Sequence, residues 1–97
     1  MSLALRVKRL DPANPSVDDT IGWAYYNRGS YSLAVEHFET AVARQPNAQR
    51  EYHLAMAYLK AGDSRRARVR LHEALTMDDN APEASLAKQL IEPENRP

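Results

Sequence analysis

The 97-residue sequence has no cysteine, three glycines, one tryptophan, one phenylalanine and no excess charge of either sign. Lack of cysteine excludes a disulfide framework, a thiolate zinc site and a cysteine nucleophile. Thirteen Lys and Arg balance thirteen Asp and Glu, which removes the electrostatic case for nucleic acid or an anionic surface as partner. No run reaches the roughly 18 apolar residues that a membrane-spanning helix requires. The apolar residues near the start meet Arg6, Lys8 and Arg9 at once, so no secretory signal is legible there.

What the sequence does have is ordinary globular composition, 43% apolar and 27% charged, divided by well-spaced breakers. Prolines stand at 12, 15, 46, 82, 93 and 97, and glycines at 22, 29 and 62. Between them apolar residues recur at helical spacing, without the alternation of a strand. Ser16 and Asp19 resemble a capping box that opens a helix carrying Ile21, Ala24 and Tyr25. Gly29 supplies the left-handed position that ends it. A second helix carries Ala34, Phe38, Ala41 and Val42 and must stop before Pro46, because a residue preceding proline leaves helical geometry. A third, with Leu54, Ala57 and Tyr58, ends at Gly62. A fourth, capped by Asp63 or Ser64, turns Ala67, Leu71, Ala74 and Leu75 inward. A fifth fits Pro82 to Ile91, with proline tolerated in its first turn.

The helices repeat. Gly29 and Gly62 stand 33 positions apart, and the same shift lays Ile21 on Leu54, Gly22 on Ala55, Ala24 on Ala57 and Tyr25 on Tyr58. It also lays Ala34 on Ala67, Phe38 on Leu71 and Ala41 on Ala74. Small falls on small and large on large across two helices. The physical reading is a helix–turn–helix unit whose members approach closely at Gly22/Ala55 and Ala34/Ala67, with large residues filling the space beside them. Such a unit buries its face only by stacking on a neighbour.

This pattern resembles the tetratricopeptide repeat, a helix pair of about 34 residues. Ile21-Gly22, Tyr25, Gly29, Ala34, Phe38, Ala41 and Pro46 carry the likeness in the first copy. Leu54-Ala55, Tyr58, Gly62, Ala67, Leu71 and Ala74 carry it in the second. The early tryptophan of the family pattern falls on Asp18 and Glu51, and the closing proline of the second copy falls on Asp79, with proline delayed to Pro82. The resemblance implies an all-α fold, an α-solenoid with repeats at 15–47 and 48–80. It also implies the end of a preceding half-repeat at 1–14, a C-terminal capping helix at 81–92 and a disordered tail at 93–97. Pro12 and Pro46 are one repeat apart, so the chain reads either as the C-terminal part of a longer repeat protein, the favoured reading, or as one that starts with an unusually short cap. The strings Asp19-Thr20-Ile21-Gly22-Trp23 and Tyr52-His53-Leu54-Ala55 are similar to repeats of bacterial envelope tetratricopeptide proteins, including lipoproteins tied to exopolysaccharide export. The compartment, envelope or cytoplasm, would follow from the parent protein.

In this family the first helix of each pair lines a concave groove. The resemblance therefore places Asp19, Trp23, Tyr26 and Asn27 there from one copy, and Tyr52, Met56, Leu59 and Lys60 from the other. Spacing agrees, because Asp19, Trp23, Tyr26 and Tyr52, Met56, Leu59 each run i, i+4, i+7 along one helix face. The Lys, Arg and Asn clamp with which some relatives grip an acidic C-terminus is missing, since Asp19, Trp23 and Tyr52 stand at its places. The expected partner is a peptide or helix with apolar anchors, held by Trp23, Tyr26, Tyr52, Met56 and Leu59, with Asn27 and Lys60 fixing polar groups. The alternative is a structural element that self-associates through Leu5, Val7 and Leu10, where a missing helix would pack.

Other constellations point to no chemistry. Arg65, Arg66, Arg68 and Arg70 radiate from one helix and read as a solvated face, not a nucleic-acid site. His37, His53 and His72 lack metal-ligand spacing, although His53 is placed at the groove edge as a hydrogen-bonding group. Asp18-Asp19 and Asp78-Asp79 are adjacent pairs that diverge on a helix or serve as caps, and no glycine-rich phosphate loop is present. A noncatalytic protein without cofactor or metal is expected.

Overall fold

A computed structural model of the chain describes residues 14–78 together with 80, 85, 88 and 89. Four helices fill the continuous part: α1 (Pro15–Asn27), α2 (Tyr31–Arg44), α3 (Ala48–Lys60) and α4 (Ser64–Met77). Each packs on the next, α1 on α2, α2 on α3 and α3 on α4. Among the described residues no helix is long and apolar enough to cross a membrane. The half-repeat at 1–14, apart from Asn14, and with it Leu5, Val7 and Leu10, lies outside the described residues, as does the tail at 93–97. Most of the fifth helix does too, although Ser85, Lys88 and Gln89 within it are helical and exposed.

Local chemistry sets each boundary. The cap of α1 is Asn14, whose side chain accepts the Ser16 N–H at 2.9 Å. Ser16 therefore lies inside the first turn, and the expected Ser16/Asp19 capping box does not form. The physical reason is Pro15: it has no N–H to satisfy and a preset φ, so it starts the helix ahead of Ser16. Asn47 and Asp63 cap α3 and α4 by accepting N–H groups of Arg50 and Arg66 at 2.8 and 3.1 Å. Gln45, forced out of helical geometry by Pro46, ends α2 at φ −150°.

The two helix pairs turn identically. Gly29 and Gly62 adopt φ of +80° and +88°, left-handed conformations that an L side chain resists. Beyond them Ser30 N–H donates to the Tyr25 carbonyl and Asp63 N–H to the Tyr58 carbonyl, both at 2.9 Å. Gly29 N–H reaches Tyr26 O and Gly62 N–H reaches Leu59 O, completing the same double closure of the orphan carbonyls in each copy.

The small positions behave as contacts. Ala34, Ala41, Ala55, Ala57, Ala67 and Ala74 are all fully buried. At Gly22 the approach is closer still, for a Cβ placed there would sit 2.5 Å from the Phe38 ring. The second copy places Ala55 and Leu71 at the matching positions, one carbon more on α3 and a smaller side chain on α4. Volume is conserved across the pair while the residues change.

Candidate protein-binding face

The face expected from the first helices of the two pairs is aromatic at one end. Trp23 and Tyr26 on α1 meet edge to face with centroids 5.0 Å apart, and Tyr26 meets Tyr31 at the start of α2 in the same way at 5.3 Å. All three rings are half-buried. Behind them Trp23 packs on the buried Phe38 ring at 5.6 Å and on the His53 ring at 4.7 Å. Such perpendicular pairs hold each other in place through ring quadrupoles. The outer rings are thus preset, and a partner packing on them would freeze little additional freedom.

On α3, Met56 and Leu59 are half-buried, while Lys60, like Asn27 on α1, is exposed. Tyr52 is different. It is 1% exposed, packs with Ala55, Leu71 and Ala74, and its hydroxyl donates to the Asp78 carbonyl at 3.4 Å. The ring fills the contact of α3 with α4, so it is not an available anchor. The i, i+4, i+7 row stays intact as a row, but α4 covers its first member.

Polar side chains join α1 to the helices beside it. Asp19 Oδ1 lies 3.0 Å from His53 Nδ1, which links α1 to α3 beneath the Trp23 ring. His53 is consequently buried, not at an accessible groove edge. Arg50 spans the same junction, with its guanidinium donating to Ser16 Oγ at 3.2 Å and to the Gln45 carbonyl and amide oxygens at 2.9 and 3.1 Å. Asp18 turns the other way and places Oδ1 3.3 Å from His37 Nδ1 on α2. The adjacent carboxylates Asp18 and Asp19 therefore diverge, one to each neighbouring helix.

One buried pairing escaped the sequence reading. Glu51 stands 33 positions after Asp18, and Arg70 stands 33 after His37. Glu51 and Arg70 form the matching contact between α3 and α4: Arg70 Nη1 donates to Oε1 at 3.3 Å and lies 3.2 Å from Oε2. Both acids are buried. Glu51 Oε2 has no aligned donor among the described residues. Burial therefore pushes the Glu51 carboxyl above the ordinary carboxylate range, the nearby Arg70 charge opposes that rise, and Glu73 adds to it. The signal was present in the sequence as an acid at the family's tryptophan position, with a basic residue 19 positions later in both copies.

The repeated turns, the repeated small-residue contacts and the repeated acid–base pair make the two helix pairs copies of one unit. A family model for the tetratricopeptide repeat matches residues 20–48 and 51–80. The chain belongs to the tetratricopeptide repeat family. No curated protein matches it. Tetratricopeptide repeats generally act as noncatalytic scaffolds for protein–protein interaction, and the helical-repeat architecture of this chain is of that kind.

Proposed function

We propose that the chain is a noncatalytic binding module for a peptide or partner helix with apolar anchors, laid across Trp23, Tyr26, Met56 and Leu59. Asn27 and Lys60 lie at the exposed edge and take polar groups of the partner. The observation that supports this reading is the half-buried edge-to-face ladder of Trp23, Tyr26 and Tyr31, fixed from behind by Phe38 and His53. Large rigid aromatics with little rotamer entropy left to lose are the residues on which binding energy concentrates. Self-association through Leu5, Val7 and Leu10, which lie outside the described residues, is the competing proposal.

Peptides selected from a random display library against the whole chain test the site. Met56→Glu is the cleaner variant, because Met56 is half-buried and belongs to neither buried cluster. It should weaken the selected peptides at least about tenfold while leaving the thermal midpoint nearly unchanged. Trp23→Ala should weaken them at least as much and also cost about 2 kcal/mol of stability, since the ring packs on Phe38 and His53. Peptides that bind both variants as tightly as the parent would contradict the assignment.

A further inference from the structure

A second concavity lies between α2 and α4 with α3 as its floor. Its volume is about 460 Å³, and Val42, Leu54, Tyr58, Val69, Arg66 and Glu39 shape it. It is not part of the aromatic face. Leu54 and Tyr58 flank Met56 two residues away on either side along α3, and residues two apart on a helix point about 200° from each other. Leu54 and Tyr58 are buried and form the base, whereas Val69 on the rim is 50% exposed and extends the apolar floor to the surface.

Charge is divided between the walls. Arg66 and Arg70 stand one turn apart on the α4 wall, and Glu39 stands on the α2 wall beside the Tyr58 hydroxyl. Arg70 is engaged through one amino group with Glu51. Arg66 is 72% exposed, and its contact with Asp63 is a loose 3.6 Å. Exposed pairs of that kind contribute little and exchange readily for a better acceptor. The cleft therefore offers an apolar floor, a basic wall whose Arg66 guanidinium is exposed and only loosely held by Asp63, and an acidic wall that repels a second negative charge and accepts an N–H.

We propose that this cleft docks a segment of a partner protein in which an acidic residue adjoins an aliphatic one. The aliphatic side chain packs over Leu54, Val42 and Val69, the carboxylate meets Arg66 and the outer edge of Arg70, and a backbone N–H faces Glu39. The charge pattern selects a single carboxylate over a phosphate dianion, because Glu39 stands across the cleft from the arginines.

The test is methyl NMR of the whole chain titrated with N-acetyl-Leu-Glu-amide, with N-acetyl-Leu-Gln-amide and inorganic phosphate as comparators. Saturable shifts of the Val42, Leu54 and Val69 methyls are expected, with the Gln peptide about fivefold weaker and phosphate without effect. Arg66→Gln should weaken the Glu peptide about as much, and Glu39→Gln should tighten it. Met56→Glu, at a residue outside both buried clusters, should leave these shifts unchanged, so the outcome is independent of the aromatic face. Equal binding of the two peptides, no saturable shift, or shifts centred on Met56 and Leu59 would each overturn the proposal. So would shifts in the cleft that depend on protein concentration without peptide, since a second copy would then be its occupant.

Discussion

Arg70→Ala is expected to lower the unfolding free energy by about 3 kcal/mol at neutral pH, the scale found when one partner of a buried ion pair is removed. The side chain is itself 31% exposed, but its partner Glu51 is 2% exposed and has no aligned donor on Oε2 among the described residues. Truncation strands that carboxylate between α3 and α4. The pH dependence has a definite sign. Burial already raises the Glu51 carboxyl from its reference of 4.5, so the folded state binds the proton more tightly than the unfolded one. The cost of holding Glu51 charged is thus full above the raised value and fades as pH falls towards the reference. Losing Arg70 removes the charge that opposes the rise, which widens the window. Urea unfolding at pH 7.5 and pH 5 should therefore show a large deficit for Arg70→Ala that shrinks at the lower pH. Adding Glu51→Gln should recover most of the loss at pH 7.5, because the buried charge is gone. A deficit that is unchanged between the two pH values would mean that Arg70 acts through packing alone.

Gly22→Ala is expected to cost about 2 kcal/mol, although an alanine is the better helix former by up to about 1 kcal/mol. The added Cβ meets two atoms of the Phe38 ring at 2.5 and 2.6 Å, and that ring is fully buried and cannot swing aside. The second repeat shows how the chain accommodates the extra carbon: Ala55 is paired there with Leu71. Phe38→Leu alone should cost about 1–2 kcal/mol through the space it leaves. The double variant Gly22→Ala with Phe38→Leu should cost clearly less than the two single changes together, with a coupling of about 1 kcal/mol or more. Denaturant titration of the four proteins measures this. Strict additivity would show that the two repeats do not share the same contact.

Most of the fold was legible because the repeat doubles every local signal. The turn glycines, the caps at Asp63 and the stop before Pro46 each have a short-range cause, and the small positions recur at the same shift. The start of α1 was not legible, since a proline at the first helical position outweighs a plausible capping box that begins one residue on. Less of the binding face was legible. Periodicity puts Tyr52 in a row with Met56 and Leu59, but α4 covers Tyr52, and only tertiary packing reveals that. Tyr31 was missed for the opposite reason: its counterpart is Ser64, so the repeat comparison carries no trace of its role. The acids at 18 and 51 appeared as departures from the family pattern. Their meaning emerged when each was seen against the basic residue on the following helix.

The chain's single tryptophan lies within the proposed face, so its emission reports directly on occupancy. A display-selected peptide titrated to saturation should shift the Trp23 emission, with a midpoint that matches the affinity measured by calorimetry. Emission that stays constant while calorimetry records binding would place the partner elsewhere on the repeat and contradict the account.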